Sequence, residues 1–362
     1  MRISLIGASS YQIFGLLDYY YNLTNFKDVK ADFYLVGGFY NCEKFYSGLK
    51  ECGAFSNVYL LKLGERKKID HYYDLLREVL SSAKSTMKYM TGDKNNDFVY
   101  DVILCENYFP VATFLRIINP EARFYIIEDG VAPYYIPMKQ YLLNTYLLRE
   151  RLYGRIKKKY IPFRVDGIYC YDPDFVRIVQ EDGLECLKLN GLNECSVEYW
   201  HTVNIVFSRC TNYMYSTKQI IVIDSHGSNE ESSPFEQYLL SFSNNVVVRP
   251  HPRAVSRAYK LPCVDRKLDA WELVCAEYIR DDHIIIGAYS TTQFVPKVLY
   301  DKEPWVVFTW SANSNNNDDN ENNAVLRHIQ HLKDLYKDES KVILIDDYSK
   351  LKTVIDSICG LG

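Results

Sequence analysis

Short apolar runs alternate with amphipathic stretches along the first half of the chain. The apolar runs predict strands over residues 3–6, 31–38, 57–63, 101–107 and 123–127. Helical spacing of apolar residues predicts helices over residues 11–23, 67–90 and 111–118. Strands that are apolar throughout and are separated by helices are typical of a parallel sheet covered on both faces.

The second half repeats this alternation. Strands are predicted over residues 219–224, 245–249, 283–288, 305–309 and 342–345, and helices over 234–242, 269–279, 292–300, 323–336 and 348–358. A strand-like run over 167–171 is expected to complete the first sheet. The pattern predicts an α/β chain of two Rossmann-like domains facing a cleft, with residues 1–175 in the first, 176–215 as a linker and 216–362 in the second. Because ligands bind beyond the carboxyl ends of parallel strands, functional residues are expected directly after strands.

Composition narrows the class of protein. The 362 residues suffice for two domains, and 48% hydrophobic with 24% charged residues excludes a disordered or coiled-coil chain. A net charge of −4 provides no field for nucleic acid, so nucleic-acid binding is not expected. The ten scattered cysteines contain no CxxC pair, which predicts reduced thiols. We find neither a membrane-length apolar run nor a signal-peptide pattern and expect a cytoplasmic location.

An acidic pair and a glycine, Glu128-Asp129-Gly130, follow the predicted strand over 123–127. Such a pair suits a general base, because one carboxylate raises the pKa of its neighbour. An acidic turn that begins a helix is the alternative interpretation.

The strand over 245–249 is followed by Pro250, His251 and Pro252, so the histidine lies between two prolines. The prolines restrict the backbone and give His251 a fixed direction. Arg249 and Arg253 flank it and form a cationic site suited to phosphate. A histidine with no chemical role in a proline-rich turn is the alternative.

Hydroxyl residues Ser290, Thr291 and Thr292 follow the strand over 283–288 and begin a predicted helix. Hydroxyls and free N–H groups at a helix amino terminus cradle phosphate without a metal. The same residues suit an N-cap, and the two roles are compatible.

Two further loops follow strands and are candidate cleft loops. Gly7, Ser9 and Ser10 lie after the first strand but lack the complete dinucleotide fingerprint, which disfavours an NAD enzyme. The second loop, at the start of the second half, holds Ser225, His226 and Gly227.

The order of the three motifs resembles that of the bacterial sialyltransferases, most closely the lipooligosaccharide and capsule enzymes and the polysialyltransferases. The resemblance implies the glycosyltransferase B fold. It also implies inverting transfer of sialic acid from CMP-sialic acid to a hydroxyl of a cell-surface glycan, either lipooligosaccharide or capsular polysaccharide. Two alternatives stay open: another nucleotide sugar (CMP-Kdo or a UDP- or GDP-sugar) and a non-catalytic nucleotide- or glycan-binding protein.

The resemblance also assigns roles to the motif residues. The acidic pair would deprotonate the acceptor hydroxyl; Glu128 is favoured as the first acidic position and Asp129 stays open, because successive strand residues point to opposite faces. His251 would contact the departing CMP phosphate, which Ser290 and Thr291 would hold.

No metal or other cofactor is expected, because CMP carries a single phosphate. Asp172-Pro173-Asp174 has the Asp-x-Asp pattern that metal-dependent transferases use for a nucleotide diphosphate, but its position before the helical run over 175–180 favours a proline turn and helix cap. Among the 32 tyrosines, Tyr134 and Tyr135 are expected to stack on sugar faces.

Residues 149–159 form a basic segment with interleaved tyrosine and leucine. It suits the inner face of an anionic membrane or an anionic polymeric acceptor, and a solvated helix face is the alternative. Its basic residues are Arg149, Arg151, Arg155, Lys157, Lys158 and Lys159. A homodimer is left open by the resemblance.

Overall fold

The computed structural model describes residues 1–61, 83–105, 110–137, 165–180, 184–208, 210, 213–224, 236–252, 257–310 and 319–360. The chain divides into two compact units. One unit comprises Met1–Asn190 and Glu194–Ser208, and the other comprises Gly191–Asn193 and Arg209–Gly362. The segment predicted as a linker, 176–215, therefore contributes elements to the first unit.

The first unit contains a seven-stranded parallel sheet in the order β3-β2-β1-β4-β5-β6-β7. β2 and β3 lie on one side of β1, and β4 to β7 lie on the other side. The strand order therefore reverses between β1 and β4. The strands are β1 (Arg2–Gly7), β2 (Lys30–Val36), β3 (Asn57–Leu61), β4 (Val102–Cys105), β5 (Arg123–Ile127), β6 (Gly167–Cys170) and β7 (Glu185–Lys188).

Helices connect these strands. Two of them, Cys42–Glu51 and Val197–Phe207, lie in regions for which the sequence predicted no helix. The described helices are α1 (Ser10–Asp18), α2 (Cys42–Glu51), α3 (Ala83–Thr91), α4 (Pro110–Ile118), α5 (Pro173–Val179) and α6 (Val197–Phe207). A π-helical turn, Tyr19–Leu23, extends α1 and buries Tyr19, Tyr20 and Tyr21. Part of the tyrosine excess is therefore packed core.

The second unit contains a five-stranded parallel sheet in the order β12-β11-β10-β8-β9. Its strand order reverses between β8 and β10. The strands are β8 (Ile220–Ile223), β9 (Val246–Arg249), β10 (Ile284–Gly287), β11 (Trp305–Phe308) and β12 (Val342–Leu344).

All but the first of the second unit's described helices lie close to their predicted positions. They are α7 (Met214–Thr217), α8 (Glu236–Leu239), α9 (Trp271–Glu277), α10 (Thr291–Tyr300), α11 (Asp319–Leu335) and α12 (Leu351–Ile358). The first of these is a short helix that the sequence did not predict. The α/β class with two Rossmann-like parallel sheets is confirmed. Within the described ranges, no helix combines the length and apolarity needed to cross a membrane.

Close backbone packing in the first unit depends on a glycine of α2. A Cβ atom at Gly48 would lie 2.5 Å from Cα of Val206 and 2.9 Å from the carbonyl oxygen of Ile205, both on α6. Backbone atoms cannot rotate away as a flexible side chain can. The absence of a side chain at this position is therefore what lets α2 and α6 approach.

We predict that Gly48→Ala lowers the free energy of unfolding by about 1–3 kcal/mol, because the new methyl group forces the helices apart. Alanine at an exposed helical position would instead be favourable relative to glycine. Ser47→Ala, at the exposed neighbouring residue, is the matched control and should change the stability by less than about 0.5 kcal/mol. Urea unfolding of both variants checks this; equal stabilities would refute the packing argument.

Candidate functional site

The predicted loop residues Gly7, Ser9 and Ser10 form the turn from β1 into α1. Ser9 is the N-cap of α1, and its Oγ accepts a hydrogen bond from the Gln12 N–H at 3.2 Å. This turn lies at the carboxyl end of β1, where the strand order of the first sheet reverses. Rossmann-like sheets bind ligands at such a position.

Glu128, directly after β5, is a buried carboxyl group with both oxygens occupied. It is 2% exposed. Oε1 accepts a hydrogen bond from the Tyr11 hydroxyl, while Oε2 accepts from the Tyr134 hydroxyl at 2.6 Å and from the Tyr171 N–H at 2.9 Å. Burial raises the pKa of Glu128 from 4.5 to about 7, although the three donors act in the opposite direction. Glu128 thus joins α1 to the segments that follow β5 and β6.

Asp129, the next residue, is exposed. Its Oδ1 accepts a hydrogen bond from Nε2 of Gln12 at 2.5 Å, and the Gln12 Oε1 accepts from the Ala8 N–H at 2.5 Å. One glutamine therefore links the turn after β1 to the acidic motif. Gly130 follows with a φ of 76°, a backbone conformation that favours glycine.

The neighbouring carboxylates thus have different environments. Both oxygens of Glu128 are committed to protein donors, whereas Asp129 retains an exposed carboxylate held by one glutamine. Of the two, Asp129 is the residue that an external hydroxyl can reach. The sequence favoured Glu128 as the general base, whereas the geometry favours Asp129 for that role.

Tyr134 does not offer a surface for sugar stacking. Its ring is 5% exposed and its hydroxyl is bound to Glu128. The prediction that Tyr134 stacks on a sugar is not supported by this burial. Tyr135 beside it is half-buried.

In the second unit, Ser290 follows β10 and is the N-cap of α10. Its Oγ accepts a hydrogen bond from the Thr292 N–H at 3.4 Å and lies 2.5 Å from the Thr292 Oγ1. Ser290, Thr291 and Thr292 are all half-buried. Two of the predicted phosphate-binding hydroxyls are therefore paired with each other at the start of a ten-residue helix.

Arg249, at the end of β9, is occupied by protein groups. Nη1 donates to Oδ2 of Asp265 at 2.9 Å and to the Tyr215 hydroxyl at 3.2 Å, and Nη2 donates to the carbonyl of Asp269 at 2.7 Å. The guanidinium lies over the ring of Trp271, at 5.1 Å from its centroid. These contacts give Arg249 a structural role in place of the predicted phosphate contact.

Arg249 acts on the hydroxyl cluster through Trp271. The indole Nε1 donates to the carbonyl of Thr292 at 2.8 Å. A buried cation at the end of β9 therefore supports the ring that positions the first turn of α10.

His251 is half-buried and Pro252 is exposed beyond the end of β9. Several predicted features lie outside the described residues: Arg253, Ser225, His226, Gly227 and the basic segment 149–159.

Asp224, directly after β8, is described and is 1% exposed. Its Oδ2 accepts from Nη1 of Arg257 at 3.0 Å and from the Tyr259 hydroxyl at 2.6 Å.

The motif Asp172-Pro173-Asp174 has the predicted capping role. Asp172 is the N-cap of α5, and its Oδ1 accepts from the Phe175 N–H at 3.1 Å, with Pro173 in the first turn. Asp174 forms an exposed ion pair with Arg177 at 2.8 Å. Within the described part of the chain, no group of three or more His, Cys, Asp or Glu side chains is arranged to hold a metal ion.

Sequence reasoning did not identify Tyr11, Gln12, Tyr171 or Arg257 as site residues. Tyr11 and Gln12 are each 117 residues away from the carboxylate that they contact. Their only local signal is their position in the first turn of a helix after a central strand. Arg257 lies in a region with no regular element and had no such signal.

We predict that replacing Glu128 by glutamine changes how stability depends on pH. The pKa of Glu128 is about 7 in the folded chain and near 4.5 when unfolded, so between these values only the folded chain holds the proton. Wild-type stability therefore falls as pH rises through this window, whereas a glutamine does not titrate. Relative to wild type, Glu128→Gln should gain roughly 2–3 kcal/mol between about pH 5 and about pH 8.

The comparison with wild type is needed because the pKa values of Asp18 and Glu272 are also raised by burial, to about 6 and about 7. Those two contributions cancel in the difference between the two proteins. Urea unfolding at about pH 5 and about pH 8 measures the difference in the free energy of unfolding between Glu128→Gln and wild type. A difference that stays constant with pH would show that burial does not raise the pKa of Glu128.

The solved structures that resemble this chain have low sequence identity to it and low TM-scores. No protein-family model matches the chain, and no curated protein matches it significantly. A galactoside α-2,3-sialyltransferase from Photobacterium phosphoreum is 10% identical, with a TM-score of 0.43 over 95% of this chain and 98% of that one. E. coli heptosyltransferase WaaC with ADP is 12% identical (TM-score 0.42, 100% and 99% covered). A UDP-N-acetylglucosamine 2-epimerase is 9% identical (TM-score 0.47, 100% and 96%). Likeness at this level identifies neither a family nor an activity.

Proposed function

We propose that the chain is an inverting, metal-independent sialyltransferase. It would move sialic acid from CMP-sialic acid to a hydroxyl of a cell-surface glycan, either lipooligosaccharide or capsular polysaccharide. The observation that carries the proposal is the position of the motifs in the two sheets. Asp129, His251 and Ser290 lie directly beyond the carboxyl ends of β5, β9 and β10.

Asp129 is the base in this proposal. Its carboxylate is exposed, and Gln12 holds Oδ1 while Oδ2 is left for the acceptor hydroxyl. Glu128 supports it as a positioning residue, because its three hydrogen bonds fix the end of β5 against α1 and the segment after β6.

The first turn of α10 would hold the CMP phosphate. Helix N-terminal N–H groups and the hydroxyls of Ser290, Thr291 and Thr292 are donors suited to an anion that gains charge as it leaves. His251, beyond the end of β9 and separated from β10 by β8, would contact the same phosphate and donate a proton or a hydrogen bond to it.

The reaction balances with these groups alone. Asp129 takes the proton of the acceptor hydroxyl as its oxygen bonds to the anomeric carbon of the donor. The bond from that carbon to the phosphate oxygen breaks on the opposite face, and CMP leaves with the electron pair. Attack opposite the leaving group inverts the anomeric centre, and pre-placed donors stabilise the charge that develops on the phosphate.

A donor screen tests the function. Purified chain is incubated with CMP-sialic acid, CMP-Kdo and UDP- and GDP-sugars together with a panel of acceptor glycans, and nucleotide release and glycan mass are measured. We expect release from CMP-sialic acid only, with sialylated product and full activity in EDTA. Release from another nucleotide sugar alone, or loss of activity with the chelator, would contradict the proposal.

His251→Ala separates an enzyme from a binding protein. The enzyme loses turnover in the variant, by about a hundredfold or more, because the leaving phosphate loses its proton or hydrogen-bond donor. A non-catalytic binding protein would show no turnover in wild type and only weaker nucleotide binding in the variant.

A further inference from the structure

Arg257 carries a buried guanidinium with donors that the protein leaves unused. Its side chain is 6% exposed. Nη1 is bonded to Asp224, but across the described residues Nε and Nη2 have no hydrogen-bond partner. Charged donors are almost always paired when buried, since an unpaired one loses its hydration without compensation.

The orientation of this guanidinium is fixed. Nη1 donates to Oδ2 of Asp224 at 3.0 Å, and that oxygen also accepts from the Tyr259 hydroxyl at 2.6 Å. The Arg257 carbonyl accepts from Nη2 of Arg266 at 2.7 Å, which holds the backbone. Arg257 is therefore preorganised at both its main chain and its head group.

The unused donors form one edge of the guanidinium fork. Nε–H and one Nη2–H point in parallel, which is the arrangement that pairs with two oxygens of a phosphate or a carboxylate. Because Asp224 engages only Nη1, no described protein group is hydrogen-bonded to this edge.

Asp224 places Arg257 between the predicted phosphate contacts. The pairing of Ile286 with Val222, continued by two residues, sets Asp224 opposite Ala288, two residues before Ser290. On its other side, the Asp224 N–H donates to the carbonyl of Arg249 at 3.0 Å, two residues before His251. Neighbouring strands lie about 4.8 Å apart, so the anchor of Arg257 lies between the ends of β10 and β9.

We propose that the Nε/Nη2 edge of Arg257 binds an oxyanion of the donor in a bidentate manner. The oxyanion is either the nucleotide phosphate or the carboxylate of the acid sugar. This inference rests on the proposed function for the identity of the donor, but the oxyanion site itself rests on the unused buried donors. Arg257 thereby takes the role that the sequence gave to Arg249.

Calorimetric titration tests the site with CMP, cytidine, CMP-sialic acid and inorganic phosphate as probes. Arg257→Lys keeps the charge but lacks the forked edge. The double variant Arg257→Met with Asp224→Asn removes both buried charges together and serves if the lysine variant does not fold. Arg280→Lys, an exposed arginine before the amino end of β10, is the matched control, and thermal unfolding confirms that each variant is folded.

A phosphate contact predicts that Arg257→Lys weakens CMP about tenfold or more and leaves cytidine unchanged. A carboxylate contact predicts unchanged CMP binding and about the same loss for CMP-sialic acid. Folded Arg257 variants with all affinities within about twofold of wild type would overturn the inference. If wild type binds neither nucleotide, the proposed function fails. Phosphate binding that depends on Arg257 would then still support the oxyanion site, and its absence would overturn that site too.

Discussion

Parallel strand pairing is the constraint on which the rest of this molecule depends. Every strand pair that the structure describes in the two sheets is parallel, so the residues that leave the strands collect at one edge of each sheet. At that edge the backbone no longer forms hydrogen bonds with the neighbouring strands, and successive side chains point alternately inward and outward. Buried polar groups there must find partners, and outward groups are free to meet a ligand.

The acidic motif shows this division most clearly. Glu128 points inward and meets two tyrosine hydroxyls and an N–H, while Asp129 points outward and is held by Gln12. At β9, Arg249 is paired with Asp265 at 2.9 Å, and His251, two residues further on, is half-buried. Glu128 and Arg249 fix the ends of their strands through these contacts, and the proposed function assigns the chemistry to Asp129 and His251 beyond them.

Much of the fold could be predicted from the sequence, because the strands are short, continuously apolar runs and the helices carry clear periodicity. β7 could not, since its two apolar residues, Cys186 and Leu187, lie between Glu185 and Lys188 in a four-residue edge strand that is too short to show a pattern. The helix α6 was missed as well, in a segment interpreted as a linker.

The site could be predicted only in part. Motif positions followed from the strand ends, but roles depended on contacts between residues far apart in the chain. Nothing local to Arg249 shows that it is paired with Asp265, and nothing local to Arg257 shows that two of its donors have no described partner. Nor does the sequence show that Tyr11 would occupy Glu128 and so leave Asp129 as the accessible carboxylate.

Turnover of two neighbouring variants tests this account most directly. The kcat for CMP release with acceptor is measured for Asp129→Asn and Glu128→Gln, both checked for folding. Removing a general base costs about 10²–10⁴-fold, and we expect this loss for Asp129→Asn only, with Glu128→Gln within about tenfold of wild type. The reverse order, a folded Glu128→Gln without turnover beside an active Asp129→Asn, would contradict the claim that the outward residue carries the chemistry.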